Sequence, residues 1–265
     1  MREMRELARR TWPDGRWHAG GLTWSLHEHP HTDQPTRTWG DRAWGRLPAP
    51  GVLQWQVHPD HPELADDVLD WATGATDLTE VVAWSGEPHQ LDALTRHGYR
   101  PAPGPFLIRL ARGLDHLPTT TPPAGYHRAH VTDDLVPARV HAHRAAWHPS
   151  HVTEDGYRAL RAAEPYREHL DRVVLAPDGA VAASCLAWLD DGVGECEPVG
   201  THPDHRRLGL ARTATLDALH ALRDLGAHTA VAHARGDDAH PVPAHLYRSV
   251  GFLPTGQRTL TYRRP

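Results

Sequence analysis

"HPDHRRLGLA", His202–Ala211, and "HPDHPELADD", His58–Asp67, open with the same four residues and then diverge. A helix N-terminus presents unpaired N–H groups and a partial positive charge, so acids there are favourable and cations are not. The later stretch inverts that preference: Arg206, Arg207 and Arg212 crowd a helix entrance and no acid appears until Asp217. An anion docked at the entrance accounts for the inversion. Gly209 removes the β-carbon that would stand against a phosphate, and small Ala211 keeps the next turn clear. In the earlier stretch Pro62 stands for Arg206, Ala65 for Gly209 and Asp67 for Ala211, while Glu63 and Asp66 add negative charge. Those acids support a free helix and repel a pyrophosphate.

Around the later stretch the element signals are orderly. "YHRAHV" alternates like a strand, and "DDLVPARVHAHRAAW" has helical spacing with Asp133 as its cap. "TEDGYRALRAAEPYREHL" reads as a second helix. "DRVVLAPDG", "AVAASCLAWLDD" and "GECEPVGTHP" read as three strands, the first two joined by a Pro-Asp-Gly turn. A helix is expected over 206–223, stopped by Gly226, then a strand at "HTAVAHA", a short helix at "PAHLYRSV" and a last strand at "TLTYRR". The earlier half repeats part of this order. The "HPDH" words lie 144 residues apart, and "RHGYRP" at Arg96 parallels "RSVGFLP" at Arg248, with Gly98 and Gly251 153 residues apart. Strands are expected there at "GLTWSL", "GVLQWQV" and "TEVVAW". "GLDHLPTTTPPAG", 113–125, is read as a linker between halves at 1–112 and 126–265.

The 265 residues, 39% hydrophobic and 23% charged, suffice for two ordinary folded domains. The net charge of −5 excludes a general nucleic-acid binder, which needs a basic face. No run approaches a membrane span and the charged N-terminus has no apolar core, so a cytoplasmic protein without a membrane partner is expected. Cys185 and Cys196 are read as small buried residues. The chain has no lysine and no asparagine, which removes both as catalytic groups. Among 23 histidines, "HEHPH" at 27–31 and "HAH" at 141–143 lack the spacing of a zinc helix or knuckle, so no metal is expected.

On "EPVGTHPDHRRLGLAR" and "LYRSVGF" the chain resembles the GNAT N-acetyltransferase superfamily. That family's motif is Arg or Gln, two residues, Gly, one residue, then Gly or Ala, filled here by Arg206, Gly209 and Ala211. The resemblance covers about 125–264, and residues from about 10 to 112 resemble a degenerate second copy, as in tandem proteins such as the mycothiol synthases. It implies a mixed α/β (α+β) fold: two GNAT-like domains, each a twisted, mostly antiparallel mixed sheet flanked by helices. The second domain's sheet would split between its central strands to admit acetyl-CoA. The pyrophosphate would sit on amides from Arg207 through Leu208, Gly209, Leu210 and Ala211 to Arg212. The pantetheine arm would pair with Val199, Gly200 and Thr201, and a backbone N–H near Val199 would polarise the thioester. Pro198, unable to donate to a ladder, fits a strand break there. The family often holds the pantetheine with an asparagine; His240, Asp237 or Asp238 would have to substitute.

Transfer to an amine needs a neutral nucleophile, oxyanion stabilisation and a proton for the departing thiolate. Glu195 and Glu197, two apart on a strand, share a face, with Cys196 opposite. In many members of that family a strand-borne glutamate lies eleven positions before the motif's first residue; the resemblance thus implies Glu195 as base, acting directly or through a water, with Glu197 either binding a cationic acceptor or taking over that role. Tyr247 matches the family tyrosine that protonates the coenzyme sulfur, and Leu94 stands near its place in the earlier half. An acetyl-CoA-dependent N-acyltransferase acting by direct transfer on a small amine is expected. Asp190 and Asp191 are read as further acids near the pocket. The first half would wall the acceptor pocket as a second subunit would, so a monomer is expected rather than a homodimer. A non-catalytic acyl-CoA- or partner-binding module, and O-acyl transfer, decarboxylation or protein acetylation on the same cofactor site, stay open at this point.

Overall fold

The computed structural model describes residues 1–28 and 34–265. In the first half the elements run α1 (Arg2–Thr11), α2 (Ala19–His27), β1 (Thr36–Thr38), β2 (Ala43–Ala49), β3 (Val52–Val57), α3 (Leu64–Ala75), β4 (Glu80–Trp84), α4 (Pro88–Arg96), β5 (Arg100–Ala102) and β6 (Leu107–Gly113). The second half continues with β7 (His127–His130), α5 (Val136–Ala146), α6 (Glu154–Arg161), β8 (Asp171–Leu175), β9 (Val181–Asp190), β10 (Val193–Thr201), α7 (Leu210–Asp224), β11 (Thr229–Arg235), α8 (Val242–Ser249) and β12 (Leu253–Arg263). The order read for the second half is reproduced element by element, and the fold is mixed α/β.

Strands β1–β3 form a small antiparallel sheet; the rest form one large sheet in the order β4-β12-β6-β11-β10-β9-β8-β7, with β5 also on β12. Its parallel pair is β10 with β11, and their register covers only 193–195 against 229–231. Past Glu195 and Val231 the two strands part. On β10's other side the register with β9 shifts between Cys196 and Val199, where Pro198 cannot donate to the ladder.

The halves exchange strands. β6 closes the first half, yet it pairs with β11 along its whole length and with β12 on its other edge. The far end of β12 pairs in turn with β4 and β5. Main-chain hydrogen bonds therefore cross the boundary read at 112/113. Leu114, at the start of the linker stretch, is fully buried and its N–H bonds the His228 carbonyl.

Local readings are corrected at four places. "GLTWSL" is helical, part of α2, not a strand: His18 Nδ1 accepts from Gly20 N–H as a cap, and burial of nearly the whole helix erases the periodicity that marks a surface helix. The helix expected from 206 begins at Leu210, because 206–209 form an open loop with positive φ at Arg207 (66°) and Gly209 (74°). Thr153 caps α6, which ends at Arg161, short of the stretch read as helix. Asp133 caps nothing; its carboxylate meets Arg161 at 2.9 Å. Among the described residues no helix is long and apolar enough to cross a membrane. Cys185 and Cys196 are free and buried.

Candidate active site

Where β10 and β11 part, a cavity of about 230 Å³ opens, lined by Cys196, Glu197, Pro198 and Val199 of β10, His233 of β11 and Tyr247 of α8. His143 and Trp147 from the end of α5 form another side. Pro149–Val152 continue that side, and a further wall comes from the first half, as Trp24 and Glu28 at the end of α2. Two glycines bring α2 this close. A β-carbon on Gly20 would lie 2.1 Å from Trp188, and one on Gly21 would lie 2.4 Å from Glu195 Oε2 and 2.9 Å from Glu197 Oε2.

Glu195 sits behind the cavity, 2% exposed. Its Oε2 accepts from Gly21 N–H at 2.8 Å, and its Oε1 lies 3.3 Å from His233 Nδ1. His18 Nδ1 is 3.4 Å from Oε2. Burial opposes the Glu195 charge, but the hydrogen bond from His233 and the neighbouring imidazoles outweigh it and hold the carboxyl below its ordinary range. Glu197 goes the other way: burial first, then the charge of Glu195, push it well above the carboxylate range. The two acids thus differ in state, Glu195 ionised behind and Glu197 holding a proton at the cavity wall. Burial also lifts Glu28 to about 7 and, with the charge of Arg139, drops His143 to about 3, so His143 is neutral at physiological pH.

Among the described residues Glu195, Glu197 and His233 bring oxygen and nitrogen atoms within 4.8 Å of one another, as a metal cluster would. His233 directs Nδ1 at Glu195 Oε1, so these two form a hydrogen-bonded pair with the Glu197 carboxyl beside them. Positions 29–31 of "HEHPH" lie outside the described residues.

Tyr247 is 5% exposed, and its hydroxyl donates to the Cys196 carbonyl at 3.4 Å across the opening. Burial raises its pKa well above that of a free phenol, so the hydroxyl keeps its proton. Val199 lines the cavity; Gly200 and Thr201 continue β10 beyond it. A β-carbon on Gly200 would press on Ala146 and the Trp147 indole, both at 3.1 Å.

From the end of β10 the chain passes through a short 3-10 turn, Pro203–His205, to the exposed loop Arg206, Arg207, Leu208 and Gly209. Helix α7 then starts at Leu210 without a side-chain cap and without an acid in its first turn. Among the described residues the backbone N–H groups of 207–212 meet no acceptor, and Arg206, Arg207 and Arg212 pair with no carboxylate. The space beside Gly209 is open. Six free amides and three free cations around a left-handed glycine suit a diphosphate in both charge and geometry.

Some expectations land elsewhere. Exposed His240 is not among the cavity residues, and Asp237 is bound to Arg235 at 2.7 Å. Asp190 lies at the far end of β9, ion-paired to Arg9 at 2.8 Å, and Asp191 is in the next turn; neither is near the cavity. Sequence reading missed His18, Gly21, Trp24, Glu28, His143 and His233. His233 lies in "HTAVAHA", correctly read as a strand, but the register that sets Glu195 opposite Val231 is visible only in the structure. The α2 residues gave no signal, because that segment was read as a strand.

The acetyltransferase (GNAT) family pattern matches residues 132–252. A mycothiol acetyltransferase of Paenarthrobacter aurescens is 29% identical over 220 residues, covering 77% of this chain and 67% of that protein. That of Saccharopolyspora erythraea is 31% identical over 211 residues, covering 71% of this chain and 68% of that protein. A solved tandem GNAT protein from the clavulanic acid biosynthesis pathway has the same fold, with a TM-score of 0.63 at 16% identity, covering 98% of this chain and 92% of that one. The strand opening, the uncapped helix entrance and these likenesses agree: the chain belongs to the GNAT acetyltransferase family and is homologous to mycothiol acetyltransferases.

Proposed function

We propose that the chain transfers an acetyl group from acetyl-CoA to the amine of a small molecule by direct attack in a ternary complex. The observation carrying this reading is that Glu197 and Tyr247, an acid and a phenol in proton-holding states, line one cavity at the point where β10 and β11 part. GNAT-family enzymes generally use acetyl-CoA, which supplies a thioester-activated acetyl group. Arg207 through Arg212 would hold its diphosphate on their free amides, and Val199–Thr201 would pair with its pantetheine arm. The Val199 N–H would polarise the thioester carbonyl.

Glu195 and Glu197 act as a pair carrying one negative charge. Glu197 meets the acceptor's ammonium, and the pair takes up one of its protons, which frees the neutral amine that attacks. Tyr247 gives its proton to the sulfur as the carbon–sulfur bond breaks and regains one from the acceptor nitrogen, which sheds its second proton as the amide forms. Trp24 and Trp147 also line the cavity and would give an alkylammonium group aromatic neighbours. The first half, a copy without a cofactor cradle in this reading, serves as a wall, which lets one chain complete its own site.

The test is thiol release from acetyl-CoA against a panel of small amines, with product masses. Glu197→Gln and Tyr247→Phe should each lower kcat/KM by about 100-fold, the scale of general acid–base catalysis. Turnover unaltered in both variants, or products acetylated on oxygen, would overturn the reading.

A further inference from the structure

Arg109 lies on β6 directly opposite His233 of β11. It is 2% exposed, its guanidinium held between the rings of Trp12 and Trp84 at 4.3 and 4.7 Å. Each of its five N–H groups has an acceptor. Nη1 donates to the Pro13 carbonyl at 2.5 Å and Gln257 Oε1 at 2.9 Å; Nη2 donates to the carbonyls of Gly15 at 2.7 Å and Arg16 at 3.0 Å. The fifth, on Nε, points at His233 Nε2 at 3.3 Å. With its fork saturated the side chain cannot turn away.

We propose that Arg109 is a positioning residue for the transfer site: its Nε–H fixes the neutral His233 ring with the lone pair on Nε2 and the proton on Nδ1, aimed at Glu195 Oε1. The opposite tautomer would set two N–H groups against each other at Nε2 and a lone pair against a carboxylate at Nδ1. Arginine suits the task because it does not shed its proton at working pH; even with burial lowering it to about 10, Arg109 remains a cation. Burial also lowers His233, which favours the neutral ring the arrangement requires. The groups facing the Glu195–Glu197 pair are His18 and Gly21 from the first half, His233 and Arg109 from the sheet, and Arg16 and Glu28 at longer range. Of these, His233 holds Glu195 Oε1 and Arg109 holds His233.

The kinetic arm of the test rests on the acetyl-transfer reading; the spectroscopic arms do not. In the full chain with 15N-labelled histidine, the His233 resonances, identified by their loss in His233→Asn, should show a protonated Nδ1 and a bare Nε2. A protonated Nε2 would overturn the proposal. Arg109→Gln frees the ring, so the acidic limb of kcat/KM and the carboxyl 13C titration of Glu195 should both move to higher pH by about one unit, the scale of one hydrogen bond to a charged group. His233→Asn keeps an amide N–H toward Glu195 and offers Arg109 no ring nitrogen. In that background only the loss of the Arg109 charge near Glu195 remains, so Arg109→Gln should move either readout by less than half as much. Equal shifts in both backgrounds would mean that Arg109 merely braces the 13–16 loop. If Arg109→Gln fails to fold, the wild-type ring spectrum still decides. A correct spectrum and titration without amine acetylation would overturn the functional reading and leave the positioning role standing.

Discussion

The two "HPDH" turns share their bonding and differ in the segment each leads into. In each the first histidine's Nδ1 accepts from the aspartate N–H, at 3.2 Å for His58 and 3.3 Å for His202. In each the second histidine's N–H bonds the first one's carbonyl, at 2.9 and 3.0 Å. The shared word is a turn that lifts the chain off a strand. After it the first half enters α3 at once, with the N–H groups of Leu64, Ala65 and Asp66 bonded to the carbonyls of His61, Pro62 and Glu63. Asp66 in that first turn is gripped by Arg96 at 2.7 Å and His97 at 3.1 Å. In the second half the loop 206–209 intervenes and the amides stay free. The strand openings differ likewise: β3 and β4 lie in separate sheets, and the buried Trp55 bridges them with its indole N–H 3.4 Å from the Val82 carbonyl. A docking place for an anion thus depends on leaving donors unpaired after the turn, and the turn itself does not supply it.

The largest expected effect tests that dependence. Gly209→Asp sets a carboxylate in the loop where the diphosphate would lie, a repulsion of roughly 3 kcal/mol at intermediate dielectric, so coenzyme A affinity should fall about 100-fold by calorimetry. Wild-type chain should bind one coenzyme per molecule, and Ala65→Gly should add no second site, because α3 has already bonded its first amides. Undiminished binding in the aspartate variant, or two sites in either chain, breaks the comparison.

Asp66 offers a smaller effect. Its hydrogen bonds from Arg96, then the charges of Arg96 and His97, hold its pKa below the ordinary value. A depressed acid contributes stability above its unfolded pKa, about 3.9, and loses it as pH falls through the folded value. The side chain is 35% exposed, so solvent screening limits the loss in Asp66→Asn to about 1 kcal/mol at pH 7. Urea denaturation should show that difference shrinking as the medium is acidified below about pH 4. A constant difference across that range would mean the carboxylate is not what closes the first half's helix entrance.

The smallest effect sharpens the likeness. His58→Ala and His202→Ala each remove one side-chain cap, worth about 1 kcal/mol, and should destabilise by matching amounts. Markedly unequal losses would show that the two words do different work.

The second half was legible because each of its elements carries its own signal: a Pro-Asp-Gly turn, a striped helix, glycine stops. The uncapped loop was legible as charge in the wrong place. The parts that escaped depend on contacts between distant stretches of the chain. Helix α2 shows little amphipathic character because Trp188 and the acid pair cover one side and first-half residues such as Trp44 belong to the core beside it. The asymmetry of Glu195 and Glu197 arises from His18, Gly21 and His233, which converge only in three dimensions. Tyr247 and Leu94 do correspond: each carbonyl accepts from the residue after the turn glycine, Phe252 and Tyr99, at 3.0 Å.

The exchange of β6 and β12 gives the first half a lasting hold on its neighbour. Cutting the polypeptide in the exposed stretch after Leu114 would leave two fragments still clasped by a shared sheet. Removing the first fragment would instead leave β11 with a raw edge and take away Arg109, Trp24 and Glu28 together. A shortened, self-sufficient transferase is therefore not to be had by trimming this chain from its N-terminus.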